Sequence, residues 1–281
     1  MIIWIASYPK SGNTWLRSLL CSYFYSHNGS FNFNLLKNIN SFPSENDFKK
    51  YEDKFEKPED TAKYWIKEQE KINQSKKIKF LKTHNALCKI NNFRFTNASN
   101  TLGAIYIIRD PRNVITSLAH HYQISKEEAL NFMLDEKRGI VSKVKSRYLG
   151  FQPLLSWILN QKSWIDNKSF PVFSVRYEDL ELETYNTFIK ILEFINNLTK
   201  NRDPVNKDKV KKCIENCSFD KMEKEENEQG FAEAIKKKGT DAKIKFFNLG
   251  KDNDYKKILD EKLLLQMNEI FKNEIKQYNY E

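Results

Sequence analysis

Close to its first residue, the chain reads Trp4-Ile5-Ala6-Ser7-Tyr8-Pro9-Lys10-Ser11-Gly12-Asn13-Thr14-Trp15-Leu16-Arg17. The apolar run from Ile2 to Ala6 is typical of a buried parallel strand. Beyond the polar residues in the middle of the stretch, apolar side chains recur with helical spacing, at Trp15, Leu16, Leu19, Leu20, Tyr23 and Phe24. The stretch therefore predicts a strand, a short loop and a helix.

The loop between this strand and helix has the composition of an anion-binding site. Pro9 fixes one turn dihedral, and Gly12 allows the backbone to approach a ligand closely. The amides from Ser11 to Thr14 would point out of the helix N-terminus, and Lys10 adds a positive charge. Because Lys10 precedes the glycine, the loop is not of the nucleoside triphosphate type. An ordinary Pro/Gly turn before a helix is the alternative.

The composition favours one domain with an anionic partner. A chain of 281 residues can bury a sizeable core, and one domain over residues 1–281 is the simpler interpretation. The net charge of +10 fits a nucleotide, a nucleic acid, a membrane surface or an acidic substrate.

The cysteine pattern favours a reducing, cytoplasmic location. The spacing of Cys21, Cys88, Cys213 and Cys217 suggests neither a disulfide framework nor a zinc site. Cys213 and Cys217 are expected to pack inward from one helix. No leader and no membrane-crossing apolar run is apparent, so no membrane partner is expected.

Strand and helix patterns alternate along the chain. Further strands are predicted at Lys77–Lys82, Gly103–Ile108 and Pro171–Arg176, and helices at Glu59–Gln74, Pro111–Tyr122 and from Tyr177 to about Asn197. This alternation predicts an α/β fold with a central, mainly parallel sheet flanked by helices. Ligands bind such sheets beyond the carboxyl ends of the strands, so the first loop, Lys82–His84 and Arg109 should meet at one edge.

The first loop, Tyr8–Trp15, closely resembles the 5′-phosphosulfate loop of sulfotransferases that use 3′-phosphoadenosine 5′-phosphosulfate (PAPS). The resemblance implies a fold related to P-loop nucleotide kinases, PAPS as the donor, 3′,5′-adenosine bisphosphate (PAP) as its product, and no metal. It implies cofactor contacts from Lys10, Ser11, Gly12, Asn13, Thr14 and Trp15.

A second motif, Phe80–Leu87, resembles the sulfotransferase segment that carries the catalytic base. An acceptor hydroxyl is a poor nucleophile until its proton is removed, and an imidazole is suited to remove it. The resemblance implies catalytic roles for His84 as the base, for Lys10 at the leaving phosphate and for Lys82 at the sulfuryl group. Without the neighbouring motifs, His84 would be read as a structural residue.

A third motif, Tyr106–His120, resembles the family segment that binds the 3′-phosphate. The resemblance implies that Arg109 and Ser117 bind this phosphate. A guanidinium can grip two phosphate oxygens, and a hydroxyl two turns into the helix can add a third contact. Asp110 and Asn113 exchange the family's usual Asn and Asp, which moves a helix-capping charge but leaves the anion ligands in place.

Later segments extend the resemblance to the nucleotide base. Phe219 would stack on adenine opposite Trp15, and Tyr177 would offer its hydroxyl. Taken alone, each of these aromatic residues could equally be core. A loop over the 3′-phosphate is placed at Asn248, Gly250 and Lys251, where Asn248 stands in place of the family's arginine. The basic run Lys237–Gly239 is the alternative placement.

These motifs predict sulfuryl transfer from PAPS to a hydroxyl or amine of a small-molecule or glycan acceptor. Partial likeness to bacterial sulfotransferases acting on glycopeptide antibiotics suggests a natural product or glycan. Acceptor specificity should lie in His27–Asp60, Gln123–Phe151 and Met222–Lys245, which match no motif. The alternatives are a kinase-like phosphotransferase and a basic nucleic-acid-binding protein, although no nucleic-acid motif is apparent. The sequence indicates no oligomeric state.

Overall fold

A computed structural model describes residues 1–280, with the side chain of Lys251 outside the description. The strands in this part of the chain are β1 (Ile2–Ser7), β2 (Lys79–Thr83), β3 (Lys89–Ile90), β4 (Phe93–Arg94), β5 (Thr101–Ile108), β6 (Gly139–Val144), β7 (Arg147–Pro153) and β8 (Val172–Arg176). The α-helices are α1 (Asn13–Tyr25), α2 (Glu45–Phe48), α3 (Trp65–Asn73), α4 (Pro111–Tyr122), α5 (Lys126–Leu134), α6 (Trp157–Ile165), α7 (Tyr177–Leu182), α8 (Thr184–Thr199), α9 (Lys207–Asn216), α10 (Phe219–Gln229), α11 (Tyr255–Ile258), α12 (Glu261–Ile270) and α13 (Lys272–Gln277). Short 3₁₀ helices occupy Phe33–Asn38, Pro58–Tyr64 and Gly250–Asp252.

The central sheet has the strand order β2-β1-β5-β8, and all its neighbouring strands are parallel. In register, Ile3 pairs with Phe80 of β2 and with Gly103 of β5. The predicted α/β fold with a parallel sheet flanked by helices is confirmed. All four strands end at the same edge, which places the segments after β1, β2 and β5 together.

The alternating side chains of β1 divide the core into two layers. Ile2, Trp4 and Ala6 pack into the cluster on one face of the sheet, and Ile3 and Ile5 pack into the cluster on the other. Successive side chains of a strand point to opposite faces, so a strand covered on both sides must be apolar throughout. This burial on both sides fixes β1, and with it the start of the first loop.

Two predicted helices have different boundaries. The helix expected over Glu59–Gln74 begins as the 3₁₀ helix Pro58–Tyr64 and becomes α3 only at Trp65. The helix expected from Tyr177 to Asn197 is interrupted at Glu183, where the Thr187 hydroxyl donates to Asp179 O across the break at 3.0 Å. This hydrogen bond satisfies a carbonyl at the interruption. The spacing of apolar residues does not reveal such a break.

The burial of individual side chains follows the predictions with one exception. Cys213 and Cys217 are fully buried, as predicted. Phe24, expected on the buried face of the first helix, is 37% exposed because it lies at the solvent end of α1.

The hairpin β6–β7 was not predicted from the sequence. Its strands pair antiparallel around a turn in which Lys145 has a φ of 54°. Lys143, Lys145 and Arg147 interrupt the apolar pattern that would reveal a strand. The hairpin matters for function because it brings Ile140 and Gln152 to the carboxyl edge of the sheet.

Candidate active site

A cavity of about 1120 Å³ lies at the carboxyl edge of the central sheet. It is lined by most of the predicted site residues, namely Lys10, Gly12, Asn13, Thr14, Trp15, Lys82, His84, Arg109, Ser117, Tyr177, Phe219, Asn248 and Gly250. The fold thus brings side chains far apart in sequence to one place. Their individual roles stay predictions.

The first loop is held in a tight conformation that needs its glycine. Gly12 caps α1 with a φ of 96°, and Lys10 also has a positive φ, of 66°. A Cβ atom at Gly12 would lie 2.4 Å from Cδ2 of Tyr177. The helical hydrogen bond from Leu16 N to Gly12 O, 3.2 Å long, leaves the amides of Asn13 to Trp15 ahead of the helical ladder.

Two buried donors among the predicted site residues have no partner within residues 1–280, namely the Ser11 hydroxyl and Nε of Arg109. Unpartnered buried polar groups are costly, which suits atoms reserved for a ligand. Burial, and then the charge of Lys82, lowers the pKa of Lys10 to about 7. An anion would satisfy these donors and relieve the repulsion between the lysines, so the residues fit the phosphate and sulfuryl groups of the predicted donor.

His84 is held in place by hydrogen bonds to its ring and to its backbone amide. Its Nδ1 lies 2.8 Å from Ser7 O, so Nδ1 carries the proton and donates, and Nε2 keeps a free lone pair. The His84 amide donates to Oε1 of Gln152 at 2.9 Å. Burial, and then the charge of Lys82, lowers the pKa of His84 to about 3, so the ring is neutral at physiological pH.

The predicted 3′-phosphate residues lie at the start of α4. Arg109 stacks its guanidinium 4.1 Å from the ring centroid of Tyr177 and donates to Lys10 O at 3.3 Å. The Ser117 hydroxyl accepts from Nδ2 of Asn253 at 3.1 Å. Asp110 caps the helix by accepting from Arg112 N at 2.8 Å, which is the role expected from its exchange with Asn113.

The three aromatic residues predicted at adenine share the cavity. Trp15 meets Tyr177 edge to face at 5.7 Å between centroids, and its indole N–H donates to Cys217 O at 3.1 Å. The Tyr177 hydroxyl donates to Glu181 at 3.4 Å. The Phe219 ring lies against Gly250, where a Cβ atom would come within 2.9 Å of it.

The two candidate loops for the 3′-phosphate differ in position. Asn248 and Gly250 line the cavity. The alternative run Lys237–Gly239 forms a turn outside the set of lining residues, where Nζ of Lys238 donates to Gln123 O at 2.9 Å. The geometry favours the first placement. The prediction for the Lys251 side chain lies outside what the structure describes.

Sequence reasoning missed two charged residues at the site, namely Glu233, which lines the cavity, and Arg17, which donates to Glu233. The Glu233 carboxylate accepts from Thr14 Oγ1 at 3.1 Å, from Arg17 at 2.5 Å and from Lys82 Nζ at 3.0 Å. Burial alone would raise the pKa of Glu233, but Lys82 and Arg17 outweigh it and hold the pKa below its ordinary value. Arg17 could have been suspected from its place one turn after Asn13 on the first helix.

The three segments predicted to hold specificity each contribute to the cavity wall. Ser41, Ile140 and Ile235 each line it, one from each segment. His120 and His121 also line the cavity, and burial followed by the charge of Lys10 lowers the pKa of His121 to about 4. The His121 side chain packs edge to face against Phe246, at 6.1 Å between centroids.

Within residues 1–280 there is no group of three or more His, Cys, Asp or Glu side chains that could hold a metal ion. Among the described helices, none is both long enough and apolar enough to span a bilayer.

Solved structures with a similar fold cover nearly the whole chain. Retinol dehydratase in complex with androsterone and the inactive cofactor PAP is 16% identical, with a TM-score of 0.55 over 98% of this chain and 80% of that chain. Retinol dehydratase with retinol and PAP is 17% identical, with a TM-score of 0.58 over 98% and 81%. Mouse sulfotransferase SULT7A1 complexed with PAP is 19% identical, with a TM-score of 0.56 over 97% and 84%.

At these identities the likeness to solved structures is one of fold. A comparison with curated proteins found no match. The model of the sulfotransferase domain family, in contrast, matches residues 2–279, nearly the whole chain. This match confirms the family and the enzyme class that the motifs predicted, and the chain belongs to the sulfotransferase family.

Proposed function

We propose that the protein transfers a sulfuryl group from PAPS to a hydroxyl group of a small-molecule acceptor. The observation that carries this proposal is the placement of His84 Nε2, free and unprotonated, in the same cavity as Lys10, Lys82 and Arg109. A base and an anion pocket are the two parts that sulfuryl transfer requires. The fold neighbours that contain PAP support PAPS as the donor.

The donor would be held at three points along the cavity. Lys10, the Ser11 hydroxyl and the amides up to Thr14 would bind the 5′-phosphosulfate. The loop already holds these donors in place, so they need not rearrange when the anion binds. Arg109, Ser117, Asn248, Gly250 and Lys251 would bind the 3′-phosphate. Trp15, Tyr177 and Phe219 would enclose the adenine.

In the proposed reaction, the donor supplies the sulfuryl group and leaves as PAP. His84 accepts the acceptor's hydroxyl proton on Nε2 while the Ser7 carbonyl keeps the ring in the required tautomer. Lys10 stabilises negative charge on the departing phosphate, and Lys82 neutralises the sulfuryl oxygens. The negative charge of the bound phosphosulfate raises the low pKa of His84, which makes the ring a stronger base at the time of reaction.

The acceptor side of the cavity suits a compact, partly apolar alcohol. Tyr122, Ile140, Ile235 and Phe246 offer apolar surface, and Gln152 offers a polar group near the base. The neighbours that bind androsterone and retinol support this class over a glycan. A natural-product alcohol also belongs to this class of acceptor.

The proposal also covers domain organisation and location. Residues 1–281 form one domain, because the family match spans almost the whole chain and both core clusters pack on one sheet. The four cysteines are free thiols, and three of them are buried, which suits a reducing cytoplasm.

The experiment that tests this function combines binding with turnover. PAP should raise the melting temperature, whereas ATP with magnesium or an oligonucleotide should not. A screen of pooled alcohols, phenols, glycans and peptides with labelled PAPS should identify the acceptor. Stabilisation by ATP with magnesium alone would favour the kinase-like alternative, and stabilisation by an oligonucleotide alone would favour nucleic-acid binding.

Substitution of the base tests the mechanism. His84→Ala should leave the Kd for PAP within about twofold of wild type and lower kcat by about 10²- to 10⁴-fold, the usual contribution of a general base. His27→Ala, at an exposed histidine outside the cavity, is the control. Turnover that survives His84→Ala unchanged would remove His84 from the mechanism.

A further inference from the structure

The Glu233 carboxylate lies in an anion pocket built from three side chains on two separate elements. Thr14 is in the first turn of α1, Arg17 is one turn further along the same helix, and Lys82 is near the end of β2. Both carboxylate oxygens are engaged, one by Arg17 and the other by Thr14 and Lys82. Such an array of charge-assisted donors is typical of a pocket that binds an anion with several oxygens.

The same pocket coincides with the predicted position of the sulfuryl group. Thr14 and Lys82 are two of the residues assigned to that end of the donor, and both are occupied by Glu233. Lys10, assigned to the adjoining phosphate, lies with Nζ 3.9 Å from the ring centroid of Phe246. Arg17 thus shares an anion with two residues assigned to the sulfuryl group, although no motif pointed to it.

We propose that Thr14, Arg17 and Lys82 form the pocket for the sulfuryl end of the donor, and that Glu233 is an internal carboxylate that occupies this pocket until the donor displaces it. This inference rests on the proposed function and deepens it by adding Arg17 as a binding residue. It also identifies a contact that lowers donor affinity in the free chain.

Charge explains why the two anions exclude one another. While Glu233 is in place it offsets the charges of Lys82 and Arg17 and leaves the Thr14 hydroxyl engaged. A sulfuryl group entering beside it would meet a like charge in a largely buried site, where screening by water is weak. Displacement of Glu233 is therefore part of donor binding.

The Glu233 side chain can leave the pocket without unfolding the core, because it is 28% exposed and lines the cavity. Its neighbours Phe231 and Ala234 are buried in the core cluster and hold the backbone in place. The end of the segment that carries Glu233 is anchored separately, since the Glu226 carboxylate accepts from the amides of Phe246 and Phe247 at 2.7 and 2.9 Å. Glu233 can leave the pocket while these anchors remain.

PAP and PAPS distinguish the pocket from the rest of the donor site, because PAP lacks the sulfuryl group. Isothermal titration without acceptor should show that Glu233→Gln tightens PAPS binding by about tenfold or more and PAP binding by less. Glu228→Gln, at an exposed glutamate paired with Lys224, is the control and should change neither Kd. Unchanged PAPS affinity in Glu233→Gln would refute the internal carboxylate.

The role of Arg17 is tested in the Glu233→Gln background, where loss of the internal contact cannot mask it. Adding Arg17→Gln should weaken PAPS binding by about tenfold and leave PAP binding within about twofold. Arg17→Lys, which keeps the charge, should recover part of the PAPS affinity. An equal loss for PAP and PAPS would assign Arg17 a structural role and overturn this part of the proposal.

Misfolding of the Arg17→Gln variant would also abolish binding. A further measurement therefore uses only chains that keep Arg17. Inorganic sulfate should raise the melting temperature of Glu233→Gln more than that of wild type, and equal shifts would overturn the proposal. If neither PAP nor PAPS binds the wild-type chain, the proposed function itself fails. If both bind and turnover occurs, but Glu233→Gln has no effect, only the present inference fails.

Discussion

Single residues set the geometry of the phosphate loop. At Gly12, a positive φ and contact with the Tyr177 ring coincide, so backbone strain and a steric clash would act together on any side chain. At Lys10, burial and the neighbouring charge of Lys82 lower the pKa of the side chain. Both residues connect the loop's shape directly to its ability to hold an anion.

Gly12→Ala should destabilise the fold and weaken PAP binding together. The new Cβ must avoid Cδ2 of Tyr177 at 2.4 Å, and a positive φ costs alanine about 1 kcal/mol by itself. The expected loss of unfolding free energy is about 2–4 kcal/mol by urea denaturation. Gly239→Ala, with a positive φ but open space, isolates the strain and should cost only about 1 kcal/mol. Equal losses of unfolding free energy in the two variants would show that the Tyr177 ring moves aside without cost.

PAP affinity should fall as the pH rises above about 7. Protonated Lys10 binds the anion, its pKa in the free chain is lowered to about 7 by burial and Lys82, and the anion raises that pKa in the complex. Binding therefore takes up a proton above pH 7, and the Kd increases by up to about tenfold per pH unit until the pKa of the complex is passed. Titrations from pH 7 to 9.5 measure the slope. Lys10→Arg, which stays protonated, should reduce it, and a flat wild-type profile would contradict the assignment.

At the scale of secondary-structure elements, helix α4 connects the sheet edge to the C-terminal segment. Nδ2 of Asn253 donates to Asn113 O at 3.0 Å and to Ser117 at 3.1 Å, and the Tyr255 amide donates to Oδ1 of Asn113 at 3.0 Å. These contacts hold the Gly250 segment over the start of α4. They explain how a segment late in the chain can complete a site begun at Arg109.

Asn253→Ala should loosen this connection. The variant loses several buried hydrogen bonds, each worth about 1 kcal/mol, and leaves the Asn113 carbonyl and two hydroxyls without this partner. We expect a loss of about 2–3 kcal/mol in unfolding free energy and a PAP affinity reduced by about tenfold. Calorimetric titration and urea denaturation measure the two effects. Asn201→Ala, at an exposed asparagine, should alter neither, and an Asn253→Ala chain with native PAP affinity would separate this segment from the 3′-phosphate.

Across the whole molecule, the site joins the start of the chain to its last third. The cavity draws on the β1 loop, the end of β2, helix α4 and the segment from Gly230 to Gly250. Each contributes positive charge or apolar surface to one volume, so an anionic ligand should stiffen parts of the chain that are distant in sequence.

PAP should therefore slow amide exchange in both the β1 loop and residues 230–250, and should raise the melting temperature. At a concentration of 100 Kd, one bound ligand adds about 2.7 kcal/mol to stability. Hydrogen exchange followed by mass spectrometry measures the pattern. The β3–β4 hairpin, whose residues are not among those lining the cavity, serves as the internal control. Protection confined to the β1 loop would argue against participation of the later segment.

Much of the fold and part of the site follow from local patterns. The apolar run of β1 and the Asp110-Pro111 start of α4 act through contacts between near neighbours, so sequence order is enough to predict them. The β6–β7 hairpin and the interruption at Glu183 depend on partners elsewhere in the fold. Charged residues in the hairpin also conceal its strand pattern.

Spacing within short segments is enough to predict the strand–loop–helix at Tyr8–Trp15, the parallel sheet and the sulfotransferase family. Which charges share the anion pocket depends instead on how distant segments come together in the folded chain. Arg17 and Glu233 are 216 residues apart along the chain, yet lie 2.5 Å apart in space. That contact forms only when distant parts of the chain fold together. The Glu233 carboxylate then offsets the charges of Arg17 and Lys82, which lowers the affinity of the pocket for an anionic ligand.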